Sequence, residues 1–443
     1  MNNSLLLFLT LISTFGFSQT NCWKEVSSLK SHTLAIKTDG TLWAWGTNSY
    51  GELGNNTTVS STNPIQISSL TNWKQVSAGA EQSFAIKTDG TLWVWGRNNG
   101  DRLGVSASID TKIPVQLGSL TTWKNVYAGT YYCLATRTND ILWGWGENSF
   151  GQLGLGTNTA VVTSPTQIGT STWKDISAGY YITLGIKTNG TLWGWGYNAN
   201  GQIGDGTVVD KNIPIQIGTA TDWKQMDTGY YHSIALKNNG TLWAWGSNIS
   251  GQFGNGSTTS SNSPIQIGSA TDWKIASLGG EYSVATKNDN TVWSWGKNTF
   301  GQLGIGNTTN SSTPNQIGIA TNWDKISASA LTTYSINSNF DLYSWGQNYT
   351  TSPTTISCTS LGISNNTKEF VKIYPNPIKE IIYISNFTNI EYEIFDIIGK
   401  SVLKGKTNEN QINVNSLLNG IYILKLKNEG EIFSACGRRL LFA

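Results

Sequence analysis

Thr41-Leu42-Trp43-Ala44-Trp45-Gly46 is the stretch from which the rest of the chain can be read. It returns as Thr91 to Gly96, Ile141 to Gly146, Thr191 to Gly196, Thr241 to Gly246 and Thr291 to Gly296. A worn copy follows, Asp341-Leu342-Tyr343-Ser344-Trp345-Gly346, and the closing glycines fall 50 residues apart throughout. A second marker keeps the same step: Trp23, Trp73, Trp123, Trp173, Trp223, Trp273 and Trp323. Together the two markers absorb all 20 tryptophans, so the chain is organised as a seven-fold array.

Each repeat reads as four short strands. In the fourth repeat these are Trp173 to Gly179, Thr183 to Lys187, Thr191 to Trp195 and Pro214 to Ile217. Between the second and third lies Asn189-Gly190, matched by Asp39-Gly40, Asp89-Gly90 and Asn239-Gly240. Such pairs are expected to form type I′ turns, in which both central residues need φ > 0. Proline at the start of the fourth strand suits an outermost strand, which has no ladder to feed on one side. Four strands per 50 residues, seven times over, predict an all-β chain carrying a seven-bladed β-propeller over residues 22–358. Trp43 and Trp45 lie two apart on a strand and so share one face. Rings that bury roughly 150–250 Å² each, repeated in every blade, are expected to cement sheet to sheet rather than to stack on sugars.

Only 13% of the residues are charged and the net charge is +2. Residues 366–443 hold 10 Lys/Arg and 8 Asp/Glu, so the remaining 19 and 19 cancel. A neutral propeller lacks the basic stripe that nucleic acid or an anionic membrane requires. At the other end, Leu5 to Phe17 is an apolar run of signal-peptide length, with Gly16 and Ser18 as small residues before a cut at Gln19. Residues 1–18 are therefore expected to be a signal peptide and the protein to be exported. No other run is long enough to cross a membrane.

The order of signals Trp-Gly-x-Asn, Gly-Gln-Leu-Gly-x-Gly, Pro-x-Gln-Ile and Ser-Ala-Gly, held over residues 23–356, resembles the regulator of chromosome condensation repeat family. The resemblance implies a seven-bladed propeller that binds proteins. The family's namesake docks on a small GTPase, and a secreted bacterial propeller of this class inhibits β-lactamases through one face. The tail resembles the type A C-terminal sorting domain of the type IX secretion system. The matching motifs are Tyr374-Pro375-Asn376-Pro377, Asp396-Ile397-Ile398-Gly399-Lys400 and Leu418-Asn419-Gly420-Ile421-Tyr422. This implies a small β-sandwich over 370–443 behind a linker at 359–369, handling by that secretion machinery, and a place outside or on the outer membrane of a Bacteroidetes-type bacterium. The last nine residues, Ala435 to Ala443, depart from the usual polar or basic finish.

The ring must also be closed. Cys22 precedes the first Trp by one residue and Cys358 follows the last strand's Ile356 by two. Equivalent positions at an internal joint, Ile319 and Asn322, lie three apart on one connection. If the blades close in this phase, a Cys22–Cys358 disulfide would stand in for the missing linker, favoured by the oxidising conditions outside the cell. Two free thiols at frayed ends are the alternative, and the namesake's closure by mixed strands would alter the phase.

Function is sought where the repeats differ. The first-to-second turn and the third-to-fourth loop of every blade should gather on one face. There the turns carry Glu81, Tyr131-Tyr132, Tyr180-Tyr181, Tyr230-Tyr231-His232 and Glu281-Tyr282. Tyrosine is enriched at recognition surfaces, so these residues form the candidate binding face, with Tyr50, Phe150, Tyr197 and Phe300 extending it. A plug for the central channel is the competing role for the same rings. Recognition of an extracellular protein is the leading expectation. Glycan binding, helped by Asn148, Asn198 and Asn248, is the alternative. Glycan cleavage by carboxylates such as Glu52, Glu81, Asp101, Glu147 and Glu281 ranks lower, since none recurs in a motif. With His32 and His232 the only histidines, neither a metal site, a cofactor nor catalysis is expected, and the chain is expected to be a monomer.

Overall fold

Lys37 to Thr41 show how each blade is made. Gly40 N–H donates to the Lys37 carbonyl at 2.9 Å and Lys37 N–H to the Thr41 carbonyl at 3.1 Å. Gly40 is left-handed (φ 82°), whereas Asp39 is not. The connection is therefore a type I turn closed by a left-handed bulge residue, not the expected type I′ turn. The extra residue frees Asp39 to accept from the Thr41 hydroxyl at 2.6 Å, and Thr41 in turn accepts from Trp43 Nε1 at 2.9 Å. Glycine serves here for a second reason: a Cβ on Gly40 would lie 2.0 Å from the Thr71 carbonyl oxygen. Asp140, Asn290 and Phe340 hold the same left-handed position in their repeats, at φ 61°, 60° and 66°.

The computed structural model describes residues 22–99, 101–105 and 109–358, and in the tail 373–374, 380–384, 391–396, 400–417, 422–428 and 431–435. The expected signal peptide, the linker, the Pro375-Asn376-Pro377 and Ile397-Ile398-Gly399 motif segments and residues 436–443 lie outside the described residues. The chain divides between Cys358 and Thr359 into two compact units.

In the first unit, blade one runs β1 (Trp23–Ser28), β2 (His32–Lys37), β3 (Leu42–Gly46) and β4 (Ser61–Ser68), paired antiparallel in that order. The order recurs in all seven blades, ending with Trp323–Ala328, Thr332–Asn337, Leu342–Gly346 and Thr354–Ile356. Val161–Ala178 is one strand of 18 residues that serves as the outer strand of blade three and the inner strand of blade four. Those two blades share a seven-stranded sheet. Fourth strands begin earlier than the proline marks in the first six blades, as in Lys211–Gln216.

Each sheet has two unlike faces. One carries the tryptophans: Trp123 meets Trp143 and Trp145 edge-on, with ring centroids 6.4 and 6.0 Å apart. This face packs on apolar side chains of the preceding blade, here Phe84, Ile86, Leu92 and Val94. The inner tryptophan also bonds across the joint, as Trp95 Nε1 does to the Glu52 carbonyl at 2.8 Å. At the seventh joint Trp23, Trp43 and Trp45 pack on Tyr334, Ile336 and Leu342 of the last blade. The ends do not share a sheet; instead a Cys22–Cys358 disulfide joins them, with Cα atoms 5.8 Å apart. Cys133 is a buried free thiol.

The second unit has a three-stranded sheet, Ile373–Tyr374, Ile381–Ile384 and Gln411–Asn413, and a four-stranded sheet from Glu391–Asp396, Ser401–Lys406, Tyr422–Asn428 and Glu431–Ala435. Ile382, Ile384, Ile394, Ile412, Val414 and Leu424 form its core. Among the described residues no helix is long and apolar enough to cross a membrane.

Candidate functional site

Antiparallel pairing brings each first-to-second turn beside the start of its third-to-fourth loop. Thr47 N–H reaches the Ser31 carbonyl at 2.9 Å, Arg97 the Glu81 carbonyl at 2.8 Å, and Tyr197 the Tyr181 carbonyl at 2.9 Å. The turns also bond from blade to blade: Ala80 N–H to Thr130 O at 3.2 Å, Gly280 N–H to Ala330 O at 3.2 Å, and Ala330 N–H to Leu29 O at 2.9 Å. The resulting backbone belt bridges the joints from blade two to four and from blade five through seven to one, around a central channel whose walls include Ser77, Tyr127, Ser177, Asp227 and Ser277.

On this belt the tyrosines make a continuous ladder. Tyr131 meets Tyr181 at 6.5 Å, Tyr181 meets Tyr180 at 4.4 Å, Tyr180 meets Tyr230 at 5.0 Å, and Tyr230 meets Tyr231 at 6.2 Å between ring centroids. Phe150 extends it, 5.0 Å from both Tyr181 and Tyr197. Partial burial pushes the Tyr131, Tyr181 and Tyr231 hydroxyls above the ordinary phenol value, and that of Tyr230 up to about 12. They stay neutral donors at any physiological pH. Cations flank the ladder, with the Arg102 guanidinium 4.4 Å from the Tyr131 ring and Arg97 4.4 Å from Tyr50. Glu81 pairs with Arg97 at 2.6 Å, Glu147 lies 3.7 Å from Arg102, and Glu281 pairs with Lys297.

Three expected face residues lie elsewhere. Tyr132, His232 and Tyr282 are the first residues of second strands, and they point into the joints between blades, with at most 1% of each exposed. Tyr132 donates to the Ile182 carbonyl at 2.6 Å and Tyr282 to the Thr332 carbonyl at 2.8 Å. His232 Nε2 lies 3.2 Å from Ser283 Oγ, and His32 repeats the contact with Ser83 at 2.9 Å. Burial lowers His32 to about 4 and His232 to about 3, so both are neutral inter-blade links. Asn148, Asn198 and Asn248 are also fully buried. Each staples its own long loop, as Asn198 does by accepting from Ile203 N–H and donating to the Thr207 and Val209 carbonyls. Glu52 is buried too, its carboxylate accepting from Tyr50 N–H at 2.8 Å.

A feature that the sequence reading missed lies beside the ladder. Tyr230, Tyr231, Gly280, Ala330, Leu331 and Lys30 line a hollow of about 470 Å³ on the same face. Its signal was the small first residue in the turns of blades six and seven.

Residues 12–285 match the RCC1-like domain, and residues 274–302 and 289–334 match the regulator of chromosome condensation (RCC1) repeat. Residues 372–435 match the secretion system C-terminal sorting domain, which makes this a secreted or cell-surface protein of a Bacteroidetes-type bacterium. Human WBSCR16 is similar in structure with a TM-score of 0.64 at 20% identity, over 71% of this chain and 87% of that one. Prp20p from Saccharomyces cerevisiae, described with binding to Gsp1p and histones, has a TM-score of 0.61 at 20% identity, over 73% and 82%. At such identities the likeness shows the fold alone. No curated protein matches the sequence.

Proposed function

We propose, from the premise that this chain belongs to the RCC1-like domain family, that it is an exported binding protein which grips another protein through the tyrosine ladder of its loop face. The ladder itself carries the reading. Five tyrosines from three adjacent blades touch in sequence and remain partly exposed on a backbone belt. Rigid aromatic side chains with a polar tip supply contact area at low entropic cost. The partial exposure of the ladder rings sets them apart from Tyr132 and Tyr282, which are fully buried in the joints between blades.

Two other readings have less support. The asparagines that would help hold a sugar are consumed within their loops. Glycoside cleavage needs two carboxylates free to face a bond, roughly 5–10 Å apart, and Glu81, Glu147 and Glu281 each sit against a cation instead. Handling by the type IX secretion machinery rests on the tail.

The test is replacement of Tyr131, Tyr181 and Tyr231 by Ala in the full chain. Capture of protein partners from the surrounding medium should be lost while the thermal transition is kept. Capture that survives intact refutes the assignment of this face.

A further inference from the structure

We propose that the hollow beside the ladder is an anchor site for a bulky apolar side chain flanked by a carboxylate, carried on a loop of the partner protein. The inference rests on the protein-binding reading of the loop face and adds the chemistry of what is bound.

The step between blades five and six creates the site. First positions in the turns are Tyr180 and Tyr230 on blades four and five, but Gly280 and Ala330 on blades six and seven. A Cβ on Gly280 would lie 3.0 Å from the Ala330 carbonyl oxygen and 3.5 Å from Cδ2 and Cε2 of Tyr230, so the bare glycine leaves open the space that a side chain would fill between the tyrosine ring and blade seven. The hollow thus has aromatic walls and a small-residue floor. Its volume of about 470 Å³ exceeds the roughly 300 Å³ at which ligand pockets begin. One large side chain fits, with room for the backbone that carries it. Pockets of this kind take the aromatic anchors in which interface energy concentrates, and the Gly280–Ala330 backbone bond fixes the floor beforehand.

Charge selects the flanking residue. Lys30, Lys297 and Glu281 line the hollow, two cations against one anion, a net of +1. Lys297 and Glu281 are bound to each other. Lys30 is exposed and has no ion pair among the described residues. An acidic group beside the anchor answers that charge. A sugar is less well served, because the two fixed charged groups at the rim are committed to each other.

The experiment pans the full-length protein against a phage-displayed library of disulfide-constrained loops. Selected loops should carry an aromatic or large aliphatic residue next to Asp or Glu. Their affinity should fall by about tenfold or more with Lys30→Glu, and with Gly280→Leu, which fills the hollow at a residue outside the left-handed region. Unfolding curves identify any variant that fails to fold, and Lys30→Glu at the exposed rim keeps the test open if Gly280→Leu is unstable. Loops rich in Lys or Arg, or loops displaced by chitohexaose, overturn the inference. Loops that lose binding with Tyr131→Ala and Tyr181→Ala but ignore both hollow variants overturn the anchor and leave the face reading standing. If no loop binds the face at all, both fall.

Discussion

Removing the Cys22–Cys358 bond should lower the stability of the propeller by about 3–5 kcal/mol. The bond closes a loop with a sequence separation of 336 residues. In the chain-entropy description the unfolded state regains roughly 19 cal/mol/K when such a loop is opened, or about 6 kcal/mol at 25 °C. Native disulfides usually deliver less, which sets the expected range. The two cysteines are not equivalent as sites of perturbation. Cys22 is buried among Trp23, Trp45 and Tyr334, so changing it also alters packing, whereas Cys358 is exposed. Cys358→Ser therefore isolates the covalent term, and reduction of the wild type by dithiothreitol is the matching control. Guanidinium unfolding followed by tryptophan fluorescence reads the propeller alone, because every tryptophan belongs to it. Amide exchange should accelerate first at Trp23, bonded to the Phe340 carbonyl, and at Ala330, bonded to the Leu29 carbonyl, since both cross the seventh joint. An unfolding free energy within about 0.5 kcal/mol of wild type, or two alkylatable thiols at these positions in the mature protein, would refute the reasoning.

Acid should destabilise the blade joints through the buried histidines. His32 and His232 are lowered to about 4 and about 3, so between those values and 6.5 the unfolded chain binds the more protons. Their stabilising contribution is complete above pH 6.5 and is lost as pH falls through that window. His32→Gln, which copies Gln82 of blade two, should flatten this limb in a pH series of urea midpoints; an unchanged slope counts against it. Glu25 acts in the opposite sense, because burial raises it to about 7 and the folded state keeps a proton that the unfolded state releases. Glu25→Gln should stabilise the protein at pH 8 by on the order of 2 kcal/mol, with the gap closing near pH 4.5. At the turn before the last hairpin, Phe340 occupies the left-handed position that glycine fills in four other blades. Phe340→Gly should raise the unfolding free energy by about 1 kcal/mol, and a loss in its place would show that the ring's packing outweighs the backbone strain.

The period of 50, the strand count and the closing cysteines were legible because they are one-dimensional facts: spacing, alternation and position relative to a marker. Parity was harder. Lys30-Ser31-His32 and its six counterparts look like uniform turns, yet the third residue already belongs to β2 and faces the next blade. Ile182 at that slot, and the Thr or Ser one residue later in most blades, were the available signs. The turn type was misread because Asp-Gly serves both a two-residue turn and a type I turn with a bulge; the bond from Thr41 to Asp39, which decides between them, is a contact and not a spacing. Asn198 and its counterparts looked available for ligands because they sit in a loop, but the loop folds on them. The hollow left only a faint sign, Gly280 and Ala330 at the slot that holds Tyr230 on the neighbouring blade, because a cavity is defined by what side chains lack.

The two unlike faces of every sheet make the joint between blades a head-to-tail contact, the heterologous kind that either closes into a ring or grows without end. A blade with its tryptophan face uncovered is thus a half-satisfied subunit, and the chain behaves as seven tethered protomers whose assembly stops only because the seventh meets the first. Rotation by one blade leaves that scaffold nearly unchanged. On the loop face it is the turns and long loops that distinguish one bearing of the ring from another, so a partner that docks there in a single orientation must be reading them.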